Sequence, residues 1–227
     1  VHKNINFCAV RCLGTLFEGI LFRDVVKRYN VRYSKKLHDL GLYLITNHAK
    51  EFTYTSLKKA LAFRSTHTVE NYADYLMEAF VIFAVQRFSA KIKEQMKSPQ
   101  KAYAYDTGLV NAVKFKLTPD TGRLMENLVA VELLRRGKEI YYFRTREGKE
   151  VDFAVKEGLN IEQLLQVCYE VEDLQTRKRE ISGLIRAAKE TGCNKLAILT
   201  WDYESREDSD PPIEFQPVWK WLLKQGE

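Results

Sequence analysis

The sequence predicts an α+β chain of two parts, a helical N-terminal domain followed by an α/β domain. Three observations carry this. Apolar residues recur at helical spacing through the first 80 or so residues. After about Asp120 the pattern becomes helix, three strands, helix, strand. Charge also divides: residues 1–120 hold 19 Lys+Arg against 10 Asp+Glu, a net of +9, whereas the rest holds 17 against 20, a net of −3.

A connecting helical segment is expected over residues 1–32. Ser34 or a neighbour can cap a helix from about Lys35 to His48, with Leu37, Leu40, Leu44 and Ile45 on one face. Thr55 or Ser56 starts a second helix through Leu61, and Ser65 or Thr66 a third through Glu78. In the third, Val69, Tyr72, Ala73, Leu76 and Met77 form the packing face. Phe80–Arg87 and Lys101–Tyr105 read as strands joined by a mobile basic connection at Lys91, Lys93 and Lys97. Three helices with a two-stranded wing make a winged-helix-like domain over 33–118. Lys116–Gly122, with Pro119, Asp120 and Gly122, reads as the joint.

The second domain, 119–227, opens with a helix over Leu124–Gly137. Glu126 stands there amid Val129, Ala130, Leu133 and Leu134, while Glu132, Arg135 and Arg136 gather opposite. A carboxylate on an apolar face is costly unless it is paired or binds a metal. Glu139–Thr145, Glu150–Lys156 and Leu164–Val171 are rich in aromatic and β-branched residues, and the first two turns are short and polar. An antiparallel meander is expected. Thr176–Thr191 forms an amphipathic helix ended by Gly192, Lys195–Thr200 a buried strand, and Ile213–Val218 runs into Trp219–Leu223.

With Glu126 in the first helix, Asp152 in the second strand, and Gln166 and Cys168 in the third, this order resembles the PD-(D/E)XK nuclease fold. The resemblance implies that Asp152 and Gln166, supported by Glu126, hold Mg²⁺. Cys168 stands where a catalytic lysine belongs. A neutral thiol does not replace an ammonium at a developing phosphorane, and Gln brings an oxygen without charge. Lys156, four residues beyond Asp152 and roughly 13 Å away by strand rise, is the candidate substitute. The site is expected to be catalytically silent yet structured, with Glu126, Asp152 and Gln166 in one pocket.

A wider likeness runs from about Leu16 onward. Ile20–Tyr29, Tyr105–Leu109, Glu126–Val129, Tyr142–Thr145 and Glu150–Phe153 look like the C-terminal region of a family of archaeal and bacterial AAA-type ATPases. The resemblance implies a P-loop domain upstream. This chain has no Gly-x-x-x-x-Gly-Lys-Ser/Thr loop, so ATP is expected only through such a domain.

Two functions stay open at this stage. In one, the chain is a non-catalytic nucleic-acid-binding region. Arg64, Thr66, His67, Thr68 and Asn71 at the start of the third helix meet DNA, and Lys91, Lys93 and Lys97 add phosphate contacts. In the other it docks a protein partner, since Glu70, Asp74 and Glu78 form an acidic stripe that repels phosphate. The cluster Lys27, Arg28, Arg32, Lys35 and Lys36 is a phosphate track or a solvated surface. A third reading, an active metal-dependent DNA nuclease, needs Lys156. Apolar runs are too short for a bilayer span. Cys8, Cys12, Cys168 and Cys193 have no disulfide or metal spacing, which points to a reducing cytoplasm. His2, His38, His48 and His67 have no zinc spacing either.

Overall fold

The computed structural model describes residues 2–113 and 120–224. Much of the expected joint, Lys116–Gly122, lies outside the described residues. The chain is mixed α+β, helical in its N-terminal part and sheet-rich in its C-terminal part. It forms two compact units. The first comprises residues 2–84 and 99–113, the second 85–98 and 120–224, so the stretch with Lys91, Lys93 and Lys97 groups with the second unit.

In the first unit, α1 (His2–Gly19) runs into a π-helical stretch, Ile20–Val26, and buries Phe17, Leu21 and Val25. These residues, spaced by four, line one side of the wider-wound helix. Helix α2 (Ser34–Thr46) meets them with Leu37, Leu40, Leu44 and Ile45. Gly41 permits the close approach, because a Cβ there would lie 3.3 Å from the Phe17 ring and 3.4 Å from Leu76. Then come β1 (Glu51–Phe52) and α3 (Tyr54–Ala60). Thr53 and Ser56 exchange a reciprocal capping box that fixes the start of α3, upstream of the expected Thr55 or Ser56. Helix α4 (Thr66–Glu78) buries Val69, Tyr72, Ala73 and Leu76. Neither Tyr33 before α2 nor Ser65 before α4 makes a side-chain cap.

Strand β2 (Ile82–Gln86) carries the chain toward α5 (Ile92–Lys97), where a loop was expected; β3 (Gln100–Ala104) and α6 (Thr107–Val113) follow. The small sheet has the order β1-β3-β2.

In the second unit α7 (Thr121–Arg135) is capped by the Asp120 side chain, which accepts from the Arg123 amide. Then follow β4 (Glu139–Arg144), β5 (Glu150–Glu157), β6 (Asn160–Cys168), α8 (Leu174–Thr191), β7 (Leu196–Thr200), β8 (Ser205–Glu207), β9 (Ile213–Pro217) and α9 (Val218–Leu223). The sheet order is β4-β5-β6-β7-β9-β8. Strands β4 to β6 form the expected antiparallel meander, and β6, β7 and β9 run parallel. β6 starts at Asn160, directly after the turn at Gly158-Leu159, and ends at Cys168, three residues short of the expected Val171. Gly192 ends α8 in the left-handed region, φ +73°, where a Cβ would be strained.

One sheet face packs Ala154, Leu164, Cys168, Leu196, Ile198, Ile213 and Phe215 against Leu184, Ala187 and Ala188 of α8. Glu132 differs from its expected solvent-facing place. It is 7% exposed, whereas Leu134, assigned to the apolar face, is exposed. The reason is α9, which closes over the end of α7: Arg136 stacks 4.3 Å from the Trp221 ring centroid and bonds Glu132 at 2.6 Å.

Candidate functional site

The antiparallel ladder between β5 and β6 reaches Phe153↔Leu165. One step beyond, side chains take over the pairing. The Asp152 amide donates to Gln166 Oε1 at 3.2 Å, and the Val167 amide donates to Asp152 Oδ2 at 3.0 Å. Both side chains are buried. Strand alternation turns Asp152, Gln166 and Cys168 toward α8, on the face where Ala154, Leu164 and Cys168 pack. Glu126 is buried on α7, a different element.

Cys168 is buried, and burial pushes its thiol up to about 11, with the negative charge of Glu180 adding to the rise. A group in this state is neutral at physiological pH. It supplies neither a cation nor a thiolate.

Helix α8 brings a second acid to this place that the sequence reading passed over. Glu180 is 12% exposed, and Arg179 bonds it at 2.6 Å. Burial raises its carboxyl, and Asp152 raises it further, while Arg179 and Lys149 oppose the shift. The signal was legible: Glu180 sits four residues before Leu184 and seven before Ala187, at helical spacing with the buried stripe.

Lys156 does not take the part expected of it. The ladder to β4 passes from Tyr141↔Ala154 to Phe143↔Val151, three steps on β5 against two on β4, so the alternation of β5 is interrupted beside Asp152. Its ammonium instead bonds both carboxylate oxygens of Glu139 on β4, each at 3.0 Å. The donors do not fit Mg²⁺ well either. Asp152 Oδ2 and Gln166 Oε1 each accept from a backbone amide, and Gln166 carries no charge. Among the described residues no group of three His, Cys, Asp or Glu side chains is placed to hold a metal ion.

The residues expected to meet DNA fall on both units. Arg64 and His67 are exposed at the start of α4, Thr66 is half-buried there, and the Asn71 amide lies 3.5 Å from His67 Nε2. Along the same helix Asp74 is raised by burial and then by Glu70 and Glu78, and the Tyr29 hydroxyl bonds Glu78. Lys93 and Lys97 are exposed on α5 of the second unit and Lys91 just before it, with Lys91 paired to Glu94 at 3.1 Å. Ile92 and Met96, one helical turn apart on α5, are 71% and 75% exposed.

Among the described residues no helix is long and apolar enough to cross a membrane. The uncharacterized protein MJ1544 of Methanocaldococcus jannaschii is 34% identical, over 93% of this chain and 49% of its own. An uncharacterized protein of Haemophilus influenzae is 26% identical, over 93% of this chain and 52% of its own. The chain thus spans about half the length of the curated relatives it matches. No solved structure matches it. Residues 121–213 match the domain of unknown function DUF4143. Residues 7–121, just over half of the chain, match the domain of unknown function DUF8612, and to that family the chain belongs.

Proposed function

We propose that the chain is a non-catalytic nucleic-acid-binding region of a larger AAA-type ATPase, built from a winged-helix-like unit and a degenerate PD-(D/E)XK nuclease-like unit. The observation that carries the non-catalytic part is the state of the nuclease-motif positions. Cys168 is a buried neutral thiol, Lys156 is engaged by Glu139, and Asp152 and Gln166 secure the end of the β5–β6 ladder. Phosphodiester cleavage needs a hard metal, a placed water and positive charge at the scissile phosphate. A polar pair spent on backbone amides serves the fold instead.

The net charge of +9 over residues 1–120 supports attraction to a polyanion. The acidic stripe on α4 disfavours deep insertion of that helix into a groove, so the binding is weak and tolerant of sequence. The competing reading, docking of a protein partner, is favoured by exposed Ile92 and Met96. The test incubates the chain with linear and branched DNA in Mg²⁺ and in Mn²⁺, beside Asp152→Ala. DNA that is bound and stays intact supports the proposal; cleavage that vanishes in Asp152→Ala overturns its non-catalytic part.

A further inference from the structure

A groove of about 1030 Å³ opens in the second unit where α7 and α9 meet the sheet face opposite α8. Its floor includes Ala197, whose small side chain leaves the space free. Two side-chain amides, Gln163 and Gln216, line it, and neither makes a hydrogen bond to any described residue. Gln216 is only 6% exposed, and what its side chain reaches is the groove. A ligand with complementary donors and acceptors would give both amides hydrogen-bond partners.

The rim is cationic. Arg135, Arg136, Lys138, Lys195 and Lys224 line the groove against the carboxylates of Glu162 and Glu214, with Glu132 behind the two arginines. The lysine pairs are loose: Lys138 and Lys195 stand 3.7 and 3.6 Å from Glu162, and Lys224 stands 3.6 Å from Glu214. Pairs this long and this exposed contribute little, so the lysines can turn to a phosphate readily.

We infer that this groove holds a short stretch of single-stranded nucleic acid, its phosphates on Lys138, Lys195 and Lys224 and a base edge on Gln163 and Gln216. Glutamine amides pair with base edges because they present a donor and an acceptor side by side. The volume lies just above the roughly 300–1,000 Å³ range of small-ligand sites, enough for a few nucleotides and too small for a duplex. The cations fall in three groups, Arg135 and Arg136 on Glu132, Lys138 and Lys195 on Glu162, and Lys224 on Glu214, which suits a chain of phosphates better than one triphosphate. The inference rests on the nucleic-acid reading above and places a principal contact on the sheet face opposite α8.

The experiment measures fluorescence anisotropy of a labelled short oligodeoxythymidylate across a salt series, with AMP and ATP as competitors. Four proteins are compared: the parent chain, Lys195→Gln/Lys224→Gln, Gln216→Leu and Lys91→Ala/Lys93→Ala/Lys97→Ala. The double variant is expected to weaken binding about tenfold or more and to reduce the salt slope by about 1.4, the release expected for two single-strand phosphates. Gln216→Leu is expected to weaken binding with the slope unchanged. AMP and ATP are expected to compete poorly. If only the α5 triple variant loses affinity, the groove is not the site while the nucleic-acid reading stands. If no oligonucleotide binds the parent chain at low salt, both fall. Strong competition by AMP or ATP overturns the preference for a strand.

Discussion

Arg136→Ala is predicted to destabilise the second unit by about 3–4 kcal/mol, and the figure follows from what the guanidinium touches. It is 14% exposed and donates to Glu132 Oε1 at 2.6 Å and to the Trp221 carbonyl at 2.9 Å. It also lies 4.3 Å over the Trp221 ring. A hydrogen bond to a charged group contributes about 1.5–3 kcal/mol, and a partly desolvated cation–π contact about 0.5–2 kcal/mol. These overlap and do not add in full. Glu132 keeps Arg135, through two bonds of 2.7 Å, so it is not left as an unpaired buried charge. Trp201, Trp219 and Trp221 all lie in the second unit, so urea unfolding followed by tryptophan fluorescence reports on that unit. With m near 2 kcal/mol/M the midpoint falls by about 1.5–2 M. The hydrogen bonds from Arg135 and Arg136 hold the Glu132 carboxyl below its ordinary range. Its stabilisation is therefore present above the unfolded-state value and is lost as pH falls through the lowered one. The gap between parent and variant should narrow in acid. A loss under about 1 kcal/mol at pH 7, or a gap that widens in acid, would refute the account of how α9 is held.

Further outcomes follow from the α8 side of the sheet and from α5. Glu180→Gln should raise the melting temperature at pH 7, because burial lifts the Glu180 carboxyl and its ionised form is disfavoured in the fold. A raised carboxyl is harmless below the unfolded-state value, about 4, so the gain should vanish as pH falls to that range; a gain that persists in acid would count against it. Asp152→Ala should cost about 1–3 kcal/mol in urea unfolding, since it strips the acceptor from the Val167 amide; a neutral result would mean that the ladder end needs no side chain. Cys168→Lys restores the motif cation, and cleavage of DNA in Mg²⁺ by this variant alone would show the missing group to be what silences the site. Neutralising Lys91, Lys93 and Lys97 together should weaken duplex binding and flatten its salt slope by up to about three units, and an unchanged affinity would remove α5 from the contact surface.

What the sequence disclosed was mostly local. The periodicity of Val69, Tyr72, Ala73 and Leu76, the Gly192 stop and the polar turns of the meander each depend on neighbours within a few residues. Glu132 was assigned to the wrong environment because Arg136, which covers it, is itself held by Trp221 far along the chain, and no helical wheel contains that partner. The engagement of Lys156 by Glu139 depends on β4 lying beside β5, a neighbour that the pattern of β5 alone does not contain. The pairing of Asp152 with Gln166 was legible as two polar positions in apolar strands, although their bonds to backbone amides were not. Glu180 was readable by the same rule that singled out Glu126, applied to α8.

The central claim, a nucleic-acid-binding region without catalysis, is tested most directly by the equilibrium affinity of the chain for duplex and single-stranded DNA across a salt titration. The account predicts measurable, sequence-tolerant binding at low salt whose logarithm falls linearly with the logarithm of salt concentration, as counterion release requires. Affinity that is absent at low salt, or that does not change with salt, would contradict it.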